Sequence, residues 1–428
     1  MKKNNNKEIG IIGLWHLGSV YAACLAQLGF KVKGFDFDKN TINNLKKGLP
    51  PIEEPELKTT IKKYLNNKLF FTNNPEEAIK EKKYIFITYD VPVNENDQID
   101  LTVIGGTFTL ISKYISPHTT IVISSQVPVG YSRKWLEKIR KKEKSINILY
   151  FPENLRLGTA INNFLMPDRI IIGGDEKAVN EFEKDFNAIN TNFIKIGLES
   201  AEMTKHALNS YLAMMISFSS EMSDLCELLG ANMQEVVTAL KTEKRVSPYA
   251  PINPGLGFAG GTLGRDIRSL QNLAEKKQYK TLLLNSIYQV NKNRIPYLLK
   301  KIKTLLPSLQ NKKIGILGLT YKPNTNTLRR SMSLELATIL KNEGAHVSSF
   351  DPMIKDKIND FSFIKIKNSL HDFFQNLDAI ILMTEWPEFK NINWKECKKT
   401  MKQKIIIDTK NFFDKEELEK NSFKLIYI

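Results

Sequence analysis

One arrangement of residues occurs twice in the chain, and it constrains the fold more than any other feature. Residues 8–13 form a short apolar run that ends in glycine. A helical pattern follows, and a second apolar run at residues 31–35 ends at Asp36. Residues 312–351 repeat this order. Strand, glycine turn, helix and strand in succession are typical of a β-α-β unit with parallel strands. We therefore predict one such unit near each end of the chain.

The sequence between these units alternates in the same way through its first half. Apolar runs at residues 84–88, 120–124 and 147–151 read as strands, and helical stretches separate them. This alternation favours a parallel sheet with helices on both faces.

Residues 204–229 are apolar at helical spacing and are followed by Gly230, a natural helix end. A helix this long in a middle segment can form the core of a dimer or pack only on its own domain, and the sequence leaves both readings open. The predicted fold is α/β, with two Rossmann-like, doubly wound, parallel-sheet domains joined by a central helical domain. The predicted bounds of the domains are 1–198, 199–295 and 296–428.

Composition narrows the class of protein. The 428 residues include no apolar run of about 18, so we expect no membrane span. The three cysteines form no CxxC pair and the five histidines are scattered, which argues against disulfides and a metal site and fits a cytoplasmic protein.

The net charge of +16 has more than one reading. Because the basic residues are spread along the chain, we interpret them as a solvated surface, or as a field that attracts an anionic substrate. Nucleic-acid binding is the less favoured alternative, and it would show as a steeply salt-dependent affinity.

The first glycine turn spans residues 13–18, with the sequence G-L-W-H-L-G. A dinucleotide-binding turn reads G-x-G-x-x-G, so Trp15 stands where the middle glycine is expected. Gly13 and Gly18 remain, and the helix that follows can receive a pyrophosphate at its N-terminus. Asp36 at the end of the second strand can bind a ribose diol, which favours NAD over NADP.

A second glycine-rich run lies at residues 253–266, N-P-G-L-G-F-A-G-G-T-L-G-R-D. So many glycines carry a cost in backbone entropy, which usually indicates close approach to a ligand or a tight turn. A plain linker would seldom contain Phe258 and an Arg-Asp pair at the start of a helix. We interpret the run as part of a binding site.

At this run the chain resembles the UDP-glucose/GDP-mannose dehydrogenase family, whose loop reads GFGG-S-C-F-x-K-D and aligns with residues 257–266 without a gap. Further landmarks match in order along almost the whole chain. They are residues 152–155, 158–160, 167–169, Lys205 with Asn209, 318–324, Arg329, 384–386 and 408–411.

The resemblance implies an NAD-dependent oxidation of a UDP-sugar C6 alcohol to a uronic acid in a homodimer. From the composition we expect no nucleic acid, membrane or metal to be involved. It implies three sets of site residues. The catalytic set is Thr262, Lys205, Asn209, Asp266 and Glu153. The cofactor set is Gly13, Trp15, His16, Leu17, Gly18, Asp36, Gln126 and Arg329. The substrate set is Asn154, Leu155, Arg245, Gly257, Phe258, Gly261 and Lys322.

The chain departs from the family pattern at the nucleophile. Thr262 stands where the family has a cysteine, and Arg265 stands where it has a lysine. Leu157, Gln126, Arg330 and Lys410 are further differences. A threonine hydroxyl is much less acidic than a thiol and is crowded by its β-branch, so the sequence argues against a thioester intermediate.

Several chemical outcomes therefore remain open. The aldehyde can be oxidised as its hydrate, the reaction can stop after two electrons or serve epimerase-like chemistry, or the chain can bind a nucleotide sugar without turnover. Counting the NADH formed per sugar separates these outcomes.

Overall fold

The computed structural model describes residues 7–94, 99–152 and 155–428. The chain divides into two compact units, Met1–Leu208 and Asn209–Ile428.

The strands of the first unit form one eight-stranded sheet. They are β1 Glu8–Ile12, β2 Lys31–Phe35, β3 Leu69–Thr72, β4 Tyr84–Ile87, β5 Thr120–Ile123, β6 Asn147–Tyr150, β7 Ile170–Gly173 and β8 Phe193–Ile196. The order is β3-β2-β1-β4-β5-β6-β7-β8. All neighbours are parallel except β6 and β7, which are antiparallel. The predicted doubly wound sheet is confirmed, and β3, β7 and β8 add to the strands that the sequence indicated.

Eight helices of the first unit connect these strands. They are α1 His16–Gln27, α2 Lys39–Leu45, α3 Leu57–Tyr64, α4 Pro75–Ile79, α5 Thr102–Tyr114, α6 Tyr131–Arg140, α7 Ala160–Leu165 and α8 Glu176–Asp185. Successive side chains of a strand point to opposite faces of the sheet. Accordingly, Val122 belongs to one apolar core with Val20 of α1, while Ile121 and Ile123 belong to another with Phe108 of α5.

One long helix, α9 Leu198–Leu229, carries the chain from the first unit into the second. It begins six residues before the predicted start at residue 204, because Glu199 and Glu202 in its first turns have partners at the beginning of α6. Glu202 is fully buried and accepts the backbone N–H groups of Gly130 at 2.6 Å and Ser132 at 2.9 Å. The helix ends as predicted at Gly230, which has φ +73°.

The helices of the second unit lie mainly before its sheet. They are α10 Met233–Thr242, α11 Leu263–Glu275, α12 Leu282–Lys292, α13 Arg294–Leu305, α14 Met332–Asn342, α15 Leu370–Phe373, α16 Trp394–Thr400 and α17 Lys415–Lys420, with 3-10 turns at Asn359–Phe361 and Pro387–Asn391. Helix α13 packs its apolar residues on the core of the following sheet, so it belongs with that sheet, and the domain bounds given above remain predictions. No helix in the described part of the chain is long and apolar enough to cross a membrane.

The strands of the second unit form a six-stranded, wholly parallel sheet. They are β9 Lys313–Leu317, β10 His346–Phe350, β11 Lys365–Ile366, β12 Ala379–Leu382, β13 Ile405–Asp408 and β14 Lys424–Tyr427. The order is β11-β10-β9-β12-β13-β14. Its two faces carry separate apolar cores, as in the first unit. The second predicted β-α-β unit is thus confirmed as β9, α14 and β10.

Replacing Glu202 with alanine tests its role in holding α6. Burial raises the pKa of the Glu202 carboxyl group, because the interior disfavours its charged form. The hydrogen bonds from the two N–H groups at α6 offset part of this cost. In Glu202→Ala those N–H groups lose their acceptor, and we expect a loss of about 1–3 kcal/mol in the free energy of unfolding, measured by urea denaturation.

The matched control is Glu199→Ala, one turn earlier on the same helix. Glu199 forms a surface ion pair with Arg133 at 2.9 Å, and both side chains are about two-fifths exposed. We expect a change below about 1 kcal/mol for this variant. Equal losses in the two variants would contradict the assigned role of Glu202.

Candidate functional site

The first glycine turn is held by a bond to the end of the neighbouring strand. Gly13 has φ +98°, a conformation that side chains rarely adopt. The next N–H, of Leu14, donates to Asp36 Oδ2 at 2.7 Å, and the other carboxylate oxygen accepts the N–H of Asp38 at 3.0 Å. Asp36 remains partly exposed. The carboxylate therefore shapes the turn and keeps lone pairs for a ligand hydroxyl.

Trp15 occupies the turn without distorting it. Its φ is −76°, so the position does not require glycine, and its side chain is 48% exposed. Gly18 does need to be a glycine, because a Cβ there would clash with the carbonyl of Gly13 and would lie 2.7 Å from Thr88 Oγ1. The helix N-terminus at His16 is thus retained, as an anion site requires.

His16, the first residue of α1, is fixed by a buried carboxylate that the sequence analysis missed. Its Nε2 lies 2.9 Å from Glu54 Oε2. Glu54 also accepts the N–H of Gly158 at 3.0 Å and of Ala160 at 2.9 Å, at the beginning of α7. The Glu54 carboxylate therefore ties the glycine turn to the segment that follows β6.

Three buried polar atoms at the carboxyl ends of β4 and β5 have no hydrogen-bond partner among the described residues. They are Tyr89 OH, Ser124 Oγ and Gln126 Nε2. An unsatisfied buried polar atom costs about 1–3 kcal/mol, so their grouping at the ligand-binding edge of a parallel sheet is what a nucleotide site would show. The predicted cofactor residue Gln126 belongs to this group.

The first half of α9 places two further polar residues in the interior of the first unit. Lys205 is 8% exposed, and His206 is fully buried with its Nε2 3.0 Å from the carbonyl oxygen of Val127. Other buried polar residues lie one turn away on the same helix, Glu202 before them and Asn209 after them. The predicted catalytic Lys205 is therefore a buried lysine, which would be unusual for a residue that serves only solubility.

The glycine-rich run of residues 253–262 is clamped by α12. Asn291 accepts the N–H of Phe258 at 2.8 Å and donates to the carbonyl oxygen of Phe258 at 3.0 Å. Gly257 has φ +97°, and a Cβ there would lie 3.1 Å from Cγ of Arg294 and would clash with the Asn291 carboxamide. Glycine at 257 is therefore required both by its backbone conformation and by this close contact.

The same run lies against the segment that follows β9. The N–H of Gly260 donates to the carbonyl oxygen of Arg330 at 3.2 Å. A Cβ on Gly261 would lie 2.7 Å from Nε of Arg329. The structure thus brings Gly261 and Arg329 together, although the sequence analysis assigned them to different ligands.

Helix α11 begins at the end of the glycine run and carries a buried polar cluster. Thr262 is its exposed N-cap residue. Asp266 is fully buried, accepts a hydrogen bond from Asn209 Nδ2, and lies 3.2 Å from Nε of Arg265. Asn209 and Asp266, which the sequence analysis proposed separately as catalytic residues, are therefore in direct contact, with Arg265 as the counter-charge of the carboxylate.

The second glycine turn repeats the first one with one difference. The N–H of Leu319 donates to Asp351 Oδ2 at 2.7 Å, as Leu14 does to Asp36. Asp351, however, is fully buried and also accepts bonds from Thr320, Met353 and the indole of Trp386. The Asp351 carboxylate therefore binds only groups of the protein itself among the described residues, and its burial leaves no access for a ribose.

The other predicted site residues differ in their exposure and in their contacts. Arg245 is 88% exposed at its side chain and pairs with the nearby Glu243 at 3.0 Å. Leu155 is partly buried, and Lys322 lies over the ring of Tyr321 at 5.7 Å. Glu153 and Asn154 fall outside the described residues.

The three cysteines all lie outside the glycine run and α11. Cys24 is fully buried in α1, and burial raises the pKa of its thiol. Cys397 packs on an apolar core, and burial raises its pKa to about 12. Cys226 lies 3.9 Å from the sulfur of Met233. Within the described residues, no group of His, Cys, Asp and Glu could hold a metal ion.

Loss of the Asn291 side chain should loosen the glycine run. Asn291→Ala removes two hydrogen bonds, each worth about 1 kcal/mol, so we expect backbone amides of residues 255–262 to exchange with solvent about tenfold faster. Hydrogen–deuterium exchange measures this. Gln289→Ala, an exposed position on the same helix, is the control, and equal exchange in both variants would contradict the clamp.

Comparison with protein families matches the chain in three consecutive parts. Residues 7–191 match the NAD-binding domain of the UDP-glucose/GDP-mannose dehydrogenase family, residues 199–293 match its central domain, and residues 315–415 match its UDP-binding domain. The chain is similar to UDP-glucose 6-dehydrogenase TuaD of Bacillus subtilis, at 31% identity over 96% of this chain and 91% of that protein. It is also similar to UDP-glucose 6-dehydrogenase of Rickettsia typhi, at 34% identity over 97% and 98%.

A solved structure agrees with these matches. A UDP-glucose dehydrogenase from the archaeon Pyrobaculum islandicum superposes with a TM-score of 0.89 and 26% identity, over 96% of both chains. With the two glycine turns and the buried cluster on α11, these similarities make the chain a member of the UDP-glucose/GDP-mannose dehydrogenase family, with NAD as its cofactor.

Proposed function

We propose that the chain oxidises the C6 alcohol of a UDP-sugar, with UDP-glucose as the first candidate, to the uronic acid. The buried contact between Asn209 and Asp266 at the end of the glycine run is the observation that carries the proposal. A protein that only bound nucleotide sugars would gain nothing from burying a carboxylate, an amide and Arg265 together beside the glycine run. The relatives named UDP-glucose 6-dehydrogenase support the choice of sugar.

The first unit has groups suited to NAD. The free N–H groups at the start of α1 suit the pyrophosphate, and Asp36 suits a ribose diol while its charge repels the 2′-phosphate of NADP. Gln126 has an amide donor without a described partner for the remainder of the cofactor. Bound NAD supplies the hydride acceptor for both oxidation steps.

We assign the proton chemistry to residues of α9 and α11. Lys205 Nζ would donate to the C6 oxygen and stabilise its negative charge as the hydride leaves. Asp266 is held by Asn209 and Arg265, so its carboxylate has a fixed orientation and would position a water molecule. Lys205 lies four residues before Asn209 on the same helix.

The second oxidation would proceed through the aldehyde hydrate and not through a thioester. Thr262 is an exposed, weakly acidic hydroxyl, and the described thiols lie in or beside apolar packing. Water would add to the aldehyde, Asp266 would orient it, and a hydride would leave the hydrate carbon. The overall balance is one alcohol, two NAD⁺ and one water giving one carboxylate, two NADH and three protons.

Counting the NADH formed per UDP-glucose tests this function. We expect two NADH and one UDP-glucuronate for each sugar consumed, measured by absorbance and mass spectrometry at limiting sugar. One NADH with an aldehyde product would contradict the second oxidation. Absence of turnover across a panel of UDP-sugars would contradict the enzyme function.

A thiol reagent and two variants serve as controls for the route. Wild-type activity should survive iodoacetamide, whereas loss of activity on alkylation would contradict the thiol-free mechanism. Lys205→Ala should lower kcat by about 10²-fold or more through loss of oxyanion stabilisation. Lys244→Ala, at an exposed position, should leave kcat unchanged.

We also propose that the chain forms a homodimer through α9. Tyr211, Phe218 and Leu225 recur every seven residues and are 56%, 49% and 42% exposed. Leu228 and Leu229 extend this surface at 77% and 81% exposure. A spacing of seven places side chains on one side of a helix, so they form a continuous apolar stripe that a second copy of α9 could cover.

Light scattering after gel filtration tests the dimer. The wild type should have twice the 49.0 kDa mass of the chain, and Phe218→Glu should shift it towards the monomer. Tyr279→Glu, an equally charged change at a position 69% exposed outside the stripe, should remain dimeric. A monomeric wild type, or a dimer unaffected by Phe218→Glu, would contradict the proposal.

A further inference from the structure

A hollow opens in the sheet of the second unit at the amino ends of β9, β10 and β11. Its volume is about 270 Å³, and its rim includes Lys313, His346, Lys365 and Lys367. The glycine turn at Gly318 follows the carboxyl end of β9. Because a parallel strand rises about 3.3 Å per residue and Gly318 is five residues after Lys313, the hollow lies about 16 Å from that turn, at the opposite edge of the sheet.

The strand register explains the hollow. Lys313 pairs with His346 and Ser348 with Lys365, so these four side chains point to the same face of the sheet. Gly315, the partner of Ser348, has no side chain. A Cβ there would lie 2.7 Å from the ring of Phe373, which closes the inner end of the space. Two small residues between longer neighbours thus leave a depression with a charged rim.

The charges on this rim are not neutralised by the protein. Among the described residues, no carboxylate lies within ion-pair distance of the ammonium groups of Lys313, Lys365 or Lys367. The nearby Asp378 accepts the backbone N–H of Lys313 at 2.9 Å, and its carboxylate is shared by two other lysines, at 3.9 and 3.6 Å.

The rim also offers neutral donors. Ser348 is 8% exposed, and no described residue hydrogen-bonds to its hydroxyl, although it lines the hollow. The Gln375 carboxamide lines the hollow as well. A hydroxyl and an amide set among like charges match an anion that bears many acceptor oxygens.

We propose that this hollow binds a multivalent phosphate, such as the phosphate chain of a di- or triphosphate, separately from the UDP-binding site of the proposed function. Lys313, Lys365 and Lys367 all line this one small depression, so their positive charges repel each other, and a polyphosphate would relieve that repulsion while accepting hydrogen bonds from the rim. Lysine suits this role, because its flexible stem follows phosphates of differing geometry.

Calorimetric titration with inorganic triphosphate tests the proposal on the full-length protein in the presence of saturating UDP. We expect one triphosphate per chain in the wild type. Lys365→Gln with Lys367→Gln should weaken binding at least tenfold, with an unchanged melting temperature. Lys395→Gln with Lys398→Gln on α16 removes the same charge elsewhere and should bind as the wild type does.

Three results would overturn the proposal. They are the absence of binding when UDP is saturating, an affinity in the Lys365/Lys367 variant equal to that of the wild type, and an equal loss in the α16 control. Because UDP occupies its own site throughout, and because UDP affinity is measured separately in each variant, failure of this proposal is distinguishable from failure of the proposed enzyme function.

Discussion

A single hydrogen bond repeated in both sheets organises the structure. The N–H that follows each turn glycine donates to an aspartate at the end of the next strand, Leu14 to Asp36 and Leu319 to Asp351, both at 2.7 Å. The bond fixes a turn that must bring the chain from the strand end back over the sheet. The carboxyl edges of the two sheets, where α/β proteins bind their ligands, are therefore built alike.

The two turns differ in whether the aspartate carboxylate is still accessible to a ligand. Asp36 keeps a partly exposed side chain, whereas Asp351 is buried beneath the Trp386 indole and takes every contact from the protein. The family motif at residues 384–386 holds the second glycine turn in place. In addition to the contact of Trp386 with Asp351, Thr384 Oγ1 donates to the carbonyl oxygen of Thr320 at 2.5 Å. A duplicated architecture thus serves two ligands, with an open acidic acceptor only in the NAD-binding part.

Many of the strands and several of the site residues could be predicted from short stretches of the sequence. Apolar runs ending in glycine predicted β1 and β9, and apolar runs ending in aspartate predicted β2 and β10, because a parallel sheet buries both faces of its strands. The family motifs named Asn209 and Asp266 as site residues but did not pair them, and the direct contact between them was seen only in the structure. Long-range contacts escaped the sequence analysis. The hydrogen bonds of Glu54, Glu202 and Asn291 join residues that are 33 to 106 positions apart in the chain. A single sequence does not indicate which distant residues will meet in this way.

The glycine run also has long-range neighbours that its sequence did not reveal. The number of glycines predicted close approach, yet the neighbours turned out to be Asn291, Arg294 and Arg329, side chains of the protein itself. Part of the cost in backbone entropy is therefore offset by packing inside the second unit. The replacement of a family cysteine by Thr262 remains a prediction from the resemblance to the family.

The account depends on two separate nucleotide sites on one chain, and simultaneous binding tests this most directly. Equilibrium dialysis with NAD and UDP, alone and together, should give one of each per chain, with NAD retained at saturating UDP. Displacement of NAD by UDP, or a combined occupancy of one nucleotide per chain, would contradict the account.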